Sequence, residues 1–169
     1  MDVCETFKII PKEELNRVFK ESYSINAELD ATCLCFEDNY IKWAKTLSKD
    51  TTIIDLGCSY NAQCYWFKDF NRLISIDLPF KEYGPQFTET RFKTDNCELY
   101  LTSIQDFINN ILPTLKIDVN DCFAICSAVP DDNARELVKN TFPNCAVYYP
   151  GLEKYESLHF EDIPFELER

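Results

Sequence analysis

The chain has 169 residues, a length that suits one domain. Its apolar fraction of 46% and aromatic fraction of 14% suffice for a packed core and exclude an intrinsically disordered chain. The net charge of −12 disfavours a general binder of DNA or RNA, because acid repels phosphate, and points instead to small molecules or a basic protein partner.

Residues 1–50 read as a helical amino-terminal cap. Pro11 suits a first helical turn, with Glu13 and Glu14 behind it to favour the helix dipole. Leu15, Val18, Phe19 and Tyr23 then recur at helical spacing. A second helix is expected over Ile25–Leu34. A third is expected from about Asp38 to Leu47, with Tyr40, Ile41, Trp43, Ala44 and Leu47 as its apolar stripe. Such a stripe is either core or a lid over a ligand, and core is the commoner use. Met1-Asp2-Val3-Cys4-Glu5 lacks the basic region and apolar block of a secretory signal, and no apolar run is long enough to span a bilayer. A cytoplasmic protein is therefore expected. The nine cysteines are odd in number and their spacings, including C-x-C at Cys33 and Cys35, make no paired zinc knuckle. The expectation is reduced thiols acting as small hydrophobes, and no metal.

The centre of the chain is Thr51 to Gln63. Thr51–Ile54 is apolar and β-branched and reads as a buried strand closed by Asp55. Gly57 follows in the turn, and Asn61 is placed to cap a helix from Ala62 to about Phe70. Leu73-Ile74-Ser75-Ile76-Asp77 is a second apolar strand ending in an acid, about twenty residues beyond the turn, where a ribose diol needs one. Phe80–Asn96, with Gly84 and Pro85, reads as a loop. The third strand has two candidates, Arg91–Thr94 and Glu98–Leu101. The second is favoured because Thr102 and Gln105 have capping-box spacing for a helix carrying Ile104, Phe107, Ile108, Ile111 and Leu112 up to Pro113. Asp121–Cys126 is a fourth strand, continuous and apolar as in parallel sheets. Asp131 or Asp132 then caps a helix over Asn133–Thr141, and Asn144–Gly151 holds a fifth strand. Ile53, Ile54, Ile74, Ile76, Ala124 and Ile125 are the expected sheet core. Residues 152–169 form an acidic tail with room for one more short strand.

The Asp-x-Gly turn at Asp55 and Gly57, followed by Asp77, resembles the first two motifs of the Rossmann-like methyltransferases that use S-adenosylmethionine, over roughly Thr51–Gly151. The family pattern places further glycines where this chain has Ser59 and Asn61, and bulky Tyr60 stands between them. Asn tolerates a left-handed backbone better than most residues. A phosphate-binding dinucleotide fold is disfavoured, since the third glycine is absent and the turn holds no basic residue. The resemblance implies a three-layer α/β/α sandwich around a mainly parallel sheet, with a shortened carboxyl end, as in some small phage and mobile-element products. It implies S-adenosylmethionine held by Asp55, Gly57, Ser59, Asn61 and Asp77, with Ser103 and Ile104 near the adenine beside Thr102 and Gln105. The plainer alternatives are that Gly57 only makes the turn and that Thr102 and Ser103 only cap a helix. Ser127, Asp131 and Tyr149 are candidate pocket residues, and no catalytic residue is named. Two functions follow: methyl transfer to a small molecule or protein, or an inert protein-binding or inhibitory module on the same fold.

Overall fold

The computed structural model describes residues 6–9, 40, 42–58, 61–79, 90–127, 129–148 and 156–157. The expected helices at Pro11–Tyr23 and Ile25–Leu34 lie outside these residues, as do Cys4, Cys33, Cys35 and Tyr149.

The strands are β1 (Thr6–Ile9), β2 (Thr52–Leu56), β3 (Arg72–Asp77), β4 (Thr90–Lys93), β5 (Cys97–Leu101), β6 (Cys122–Ser127), β7 (Cys145–Tyr148) and β8 (Glu156–Ser157). Six of them form one sheet in the order β5-β3-β2-β6-β7-β8. The first five are parallel to one another, and β8 pairs antiparallel on the β7 edge. From β2 the chain winds outward to β3 and β5, then returns to the other side of β2 for β6 and β7. That reversal makes the fold doubly wound and Rossmann-like, with its switch point between β2 and β6.

Parallel strands buried on both faces should read as unbroken apolar runs. Every residue of β2 is buried, as are Leu73–Asp77 and Cys122–Cys126. All six expected sheet-core residues, from Ile53 to Ile125, are fully enclosed. Alternation along the strands divides them between two cores. One face gathers Ile54, Leu56, Ile74, Ile76, Ala124 and Val147 under Phe107, Leu112, Val138 and Phe142. The other gathers Ile53, Leu73, Phe123 and Ile125 under Tyr40, Trp43, Phe67 and Phe70. Tyr40 meets Trp43 and Phe67 edge-on and Trp43 lies tilted against Phe123, so Tyr40, Trp43 and Ala44 of the third expected helix, helical at 42–46, are core. Two helical layers on one sheet make the expected three-layer α/β/α sandwich.

Four expectations need correction. The amino-terminal fifty residues are not wholly helical: Thr6–Ile9 is a strand, paired parallel with Thr90–Lys93 in a separate two-stranded sheet. Arg91–Thr94 and Glu98–Leu101 were rivals for one strand, yet both regions are strands. Cys97–Leu101 joins the main sheet and Thr90–Lys93 the small one, so the expected loop up to Asn96 ends in structure. The connection after β2 is a 3-10 helix, Ala62–Phe67, not an α-helix to Phe70. The helix after β5 starts one residue later than the capping box implied: Ser103 is its N-cap, accepting from the Asp106 amide at 3.0 Å. That helix passes through a π turn at Phe107–Ile111 and a 3-10 turn at Leu112–Thr114, which accommodates Pro113 near its start instead of stopping there. Asp131 caps the helix Asp132–Thr141 as expected, accepting from the Asn133 and Ala134 amides. Among the described residues no helix is long and apolar enough to cross a membrane.

Candidate functional site

The two strand-end acids meet at the carboxyl edge of the sheet. Asp55 on β2 is opposite Ser75 on β3 and opposite Ile125 on β6. Its side chain therefore enters the core that holds Tyr40 and Phe67. Asp77 ends β3 next to the Leu56–Gly57 exit of β2, where the Gly57 and Cys58 amides both donate to the Ile76 carbonyl. Asp55 is 1% exposed and Asp77 4% exposed. Burial, opposed by hydrogen bonding from Gln63 and reinforced by the charge of Asp77, pushes the Asp55 carboxyl up to about 7.

Asp55 is held asymmetrically. Gln63 Nε2 donates to Asp55 Oδ2 at 2.6 Å and to the Cys58 carbonyl at 2.9 Å. Both amide hydrogens are thereby used, and the turn is pinned to the strand it leaves. Asp55 Oδ1 is buried with no hydrogen-bond partner among the described residues. The Tyr40 hydroxyl lies near enough to favour the charged carboxyl but donates to Ser127 Oγ, at 3.4 Å.

The other candidates divide. Gly57 has φ 86, a conformation that favours glycine, so its conformational role is real. A Cβ on Gly57 would lie 2.7 Å from Val129 Cγ2, so the exit loop of β6 fills the space over the turn. Asn61 does take the left-handed backbone, at φ 62. Its side chain, however, does not cap the following helix. It is fully buried, accepts from Ser75 Oγ at 2.8 Å and donates to Cys97 Sγ at 3.5 Å. Ser59 lies outside the described residues. Ser103 spends its hydroxyl on the helix cap, and Ile104 packs into the core under Phe107 and Leu112. Thr102 is brought next to Asp77, donating its amide to the Asp77 carbonyl at 2.9 Å, while its hydroxyl donates to Asp106 Oδ2 at 2.6 Å. Gln105 reaches across the edge to donate to Asp131 Oδ2 at 2.8 Å, and this bond leads the causes that hold the Asp131 carboxyl below the usual carboxylate range. The structure thus assembles Asp55, Gly57, Asp77, Thr102 and Ser127 along one edge, and turns Asn61 and Ile104 into the interior.

Sequence reasoning missed Gln63, Ser75 and Cys97. Gln63 stands eight residues from the acid it serves, and no period or motif links them. Ser75 was legible only as the single polar residue inside an apolar strand. At the opposite, amino-terminal edge a groove of about 860 Å³ is lined by Thr52, Asn71, Arg72, Lys116, Asp121 and Asn144. Arg72 there is already held by Glu98 through two hydrogen bonds. Open α/β sheets take their ligands at the other edge. Among the described residues no group of three His, Cys, Asp or Glu could hold a metal ion, and six cysteines are free and buried.

No family model matches the chain, and no curated protein matches it. Among solved structures it is similar to one from Listeria monocytogenes described as a candidate S-adenosylmethionine dependent methyltransferase, at 15% identity, with 75% of this chain and 67% of that one covered and a TM-score of 0.32. A likeness at that score fixes neither fold nor activity; the fold assignment stands on strand order and on the two-faced core.

Proposed function

We propose that the carboxyl edge of the sheet binds S-adenosylmethionine and that the chain is a methyltransferase-like protein acting on a small molecule or a protein. The observation that carries the reading is the placement of Asp77: it closes β3, one strand from the switch point, within the electrostatic reach of Asp55. A carboxylate there accepts both hydrogens of a ribose diol, and Thr102 beside it bounds the nucleoside end. The residues present fit that end of the molecule. At the glycine turn the space is taken by Val129, so contacts to the remainder fall to residues after Gly57. S-adenosylmethionine supplies a methyl group carried on a sulfonium, and in-line transfer is accelerated largely by orientation in a dry pocket. The residues of this chain bind, orient and exclude water.

The test is calorimetry with S-adenosylmethionine on wild type and Asp77→Ala. Losing charged hydrogen bonds costs roughly 1.5–3 kcal/mol each, so binding should weaken by about one to two orders of magnitude. Binding that Asp77→Ala leaves unchanged would put the ligand elsewhere.

A second reading is a catalytically inert module that binds another protein through its acidic surface. Two observations favour it: Val129 closes over Gly57, and Asn61, at the family's third glycine position, is committed to the core. Absence of heat and of thermal stabilisation with millimolar S-adenosylmethionine would leave this reading standing. Either way the net charge of −12 favours a cationic or neutral partner over nucleic acid.

A further inference from the structure

We propose that the side chain of Val129 determines specificity at the carboxyl edge, as a wall that discriminates against nucleosides carrying a long 5′ arm. The inference rests on the reading above for the ribose anchor at Asp77, and it adds how much ligand the site takes beyond that anchor.

The strand order sets the direction. Asp77 closes β3, which has β5 on one side and β2 on the other. Thr102, at the exit of β5, has its amide on the Asp77 carbonyl and bounds the ligand on that side. The rest of the ligand then runs toward β2 and β6. Adjacent strands lie about 4.8 Å apart, so the first step beyond the ribose meets the exit of β2 at Gly57, and the next meets the exit of β6.

Val129 stands at that crossing. It is the second residue beyond β6, and its Cγ2 lies 2.7 Å from where a Cβ on Gly57 would be. The room that a glycine opens is therefore filled by valine. Val129 packs against the core that holds Ile104 and Phe107, yet it is only partly buried, so one side chain borders both the interior and the edge.

The wall is held in place. Arg135 Nη1 donates to the Val129 carbonyl at 2.7 Å, and the same guanidinium pairs with Asp132. Two residues beyond Val129, Asp131 caps the helix Asp132–Thr141 and accepts from Gln105. The loop is thus tied to the first turn of that helix and to the helix after β5. A β-branched side chain on a held backbone has few rotamers in which to withdraw. Ligand length is read by contact with its methyl groups, and one methylene in such a pocket changes relative affinity about 10- to 200-fold. S-adenosylmethionine accordingly binds below the affinity that an open turn would allow.

The test is calorimetry with two neutral thioethers that share the nucleoside and differ in the arm, 5′-methylthioadenosine and S-adenosylhomocysteine. The proteins are wild type, Val129→Ala and Val129→Leu, each checked for folding by a thermal melt. Val129→Ala should tighten S-adenosylhomocysteine about tenfold or more and 5′-methylthioadenosine by less than about threefold. Val129→Leu should move the ratio of the two affinities the opposite way. Binding of both ligands with the same ratio in all three proteins overturns the wall and leaves the Asp77 reading standing. Binding of neither ligand, or 5′-methylthioadenosine binding that Asp77→Ala leaves unchanged, overturns that reading and the wall with it.

Discussion

Removing the buried charge of Asp55 should stabilise the protein, increasingly as pH rises from about 4 to 7. Asp55 is fully enclosed, one oxygen has no partner among the described residues, and its folded carboxyl is pushed up to about 7 from an ordinary 3.8. Between those values the folded state holds a proton that the unfolded state has released. Stability at this group is therefore greatest below the unfolded value and is lost as pH rises toward 7. Each unit of difference is worth about 1.4 kcal/mol, so the loss between pH 5 and pH 8 is about 3 kcal/mol. Asp55→Asn keeps an acceptor for Gln63 and carries no charge. Urea denaturation of both proteins at pH 5, 6, 7 and 8 measures the difference. The variant should gain on wild type by about 3 kcal/mol between pH 5 and pH 8. Glu98, Asp106 and Asp131 have lowered carboxyls and change stability below this window, and His159 is common to both proteins, so the difference curve isolates Asp55. Parallel curves, or a variant less stable than wild type at pH 8, would refute the assignment of a buried uncompensated charge.

Other substitutions test the packing. Gly57→Ala combines a left-handed backbone with a Cβ 2.7 Å from Val129 Cγ2 and should cost about 2–4 kcal/mol in denaturant melts, with the steric part relieved in a Val129→Ala background. Phe107→Ala empties a fully buried site on the Asp132–Thr141 side of the sheet and should cost about 3–5 kcal/mol by the same measurement. Asp131→Ala removes an N-cap and should cost about 0.5–2 kcal/mol, while Glu98→Gln, at a partly exposed pair with Arg72, should cost under about 1 kcal/mol.

The sheet was legible because its physics is local. A strand covered on both faces must be mainly apolar, and Thr52–Leu56, Leu73–Asp77 and Cys122–Cys126 are so apart from Thr52, Asp55, Ser75 and Asp77. The small sheet was not legible. Thr6–Ile9 and Thr90–Lys93 are four residues each and pair across more than eighty residues of chain, and although Thr6–Ile9 alternates polar and apolar, so short a run is a weak strand signal. The 3-10 connection escaped for a related reason. Trp66, Phe67 and Phe70 have helical spacing, but Asn61 in a left-handed backbone and the Gln63 bond to Asp55 accompany a tighter turn, and both are set by tertiary contact.

The site shows where motif reading stops. A motif places a residue at a strand end; it does not say which way the side chain goes once neighbours compete for it. Asp77 and Asn61 occupy equally motif-like positions, yet Ser75 lies within hydrogen-bond reach of Asn61 and draws it inward, while Asp77 remains at the sheet edge. Ser75 does this because β3 pairs in a register that turns Leu73 and Ser75 toward the face holding Cys97, where an isolated hydroxyl must find a partner or cost about 1–3 kcal/mol. Asn61 satisfies that hydroxyl. The same face holds Asp55, whose second oxygen has no such neighbour among the described residues. One buried polar group on this face is thus matched by a side chain from the turn, while the other has Gln63 on one oxygen only. The two groups differ by their partners, and those partners are Asn61 and Gln63, which only the fold brings onto this face.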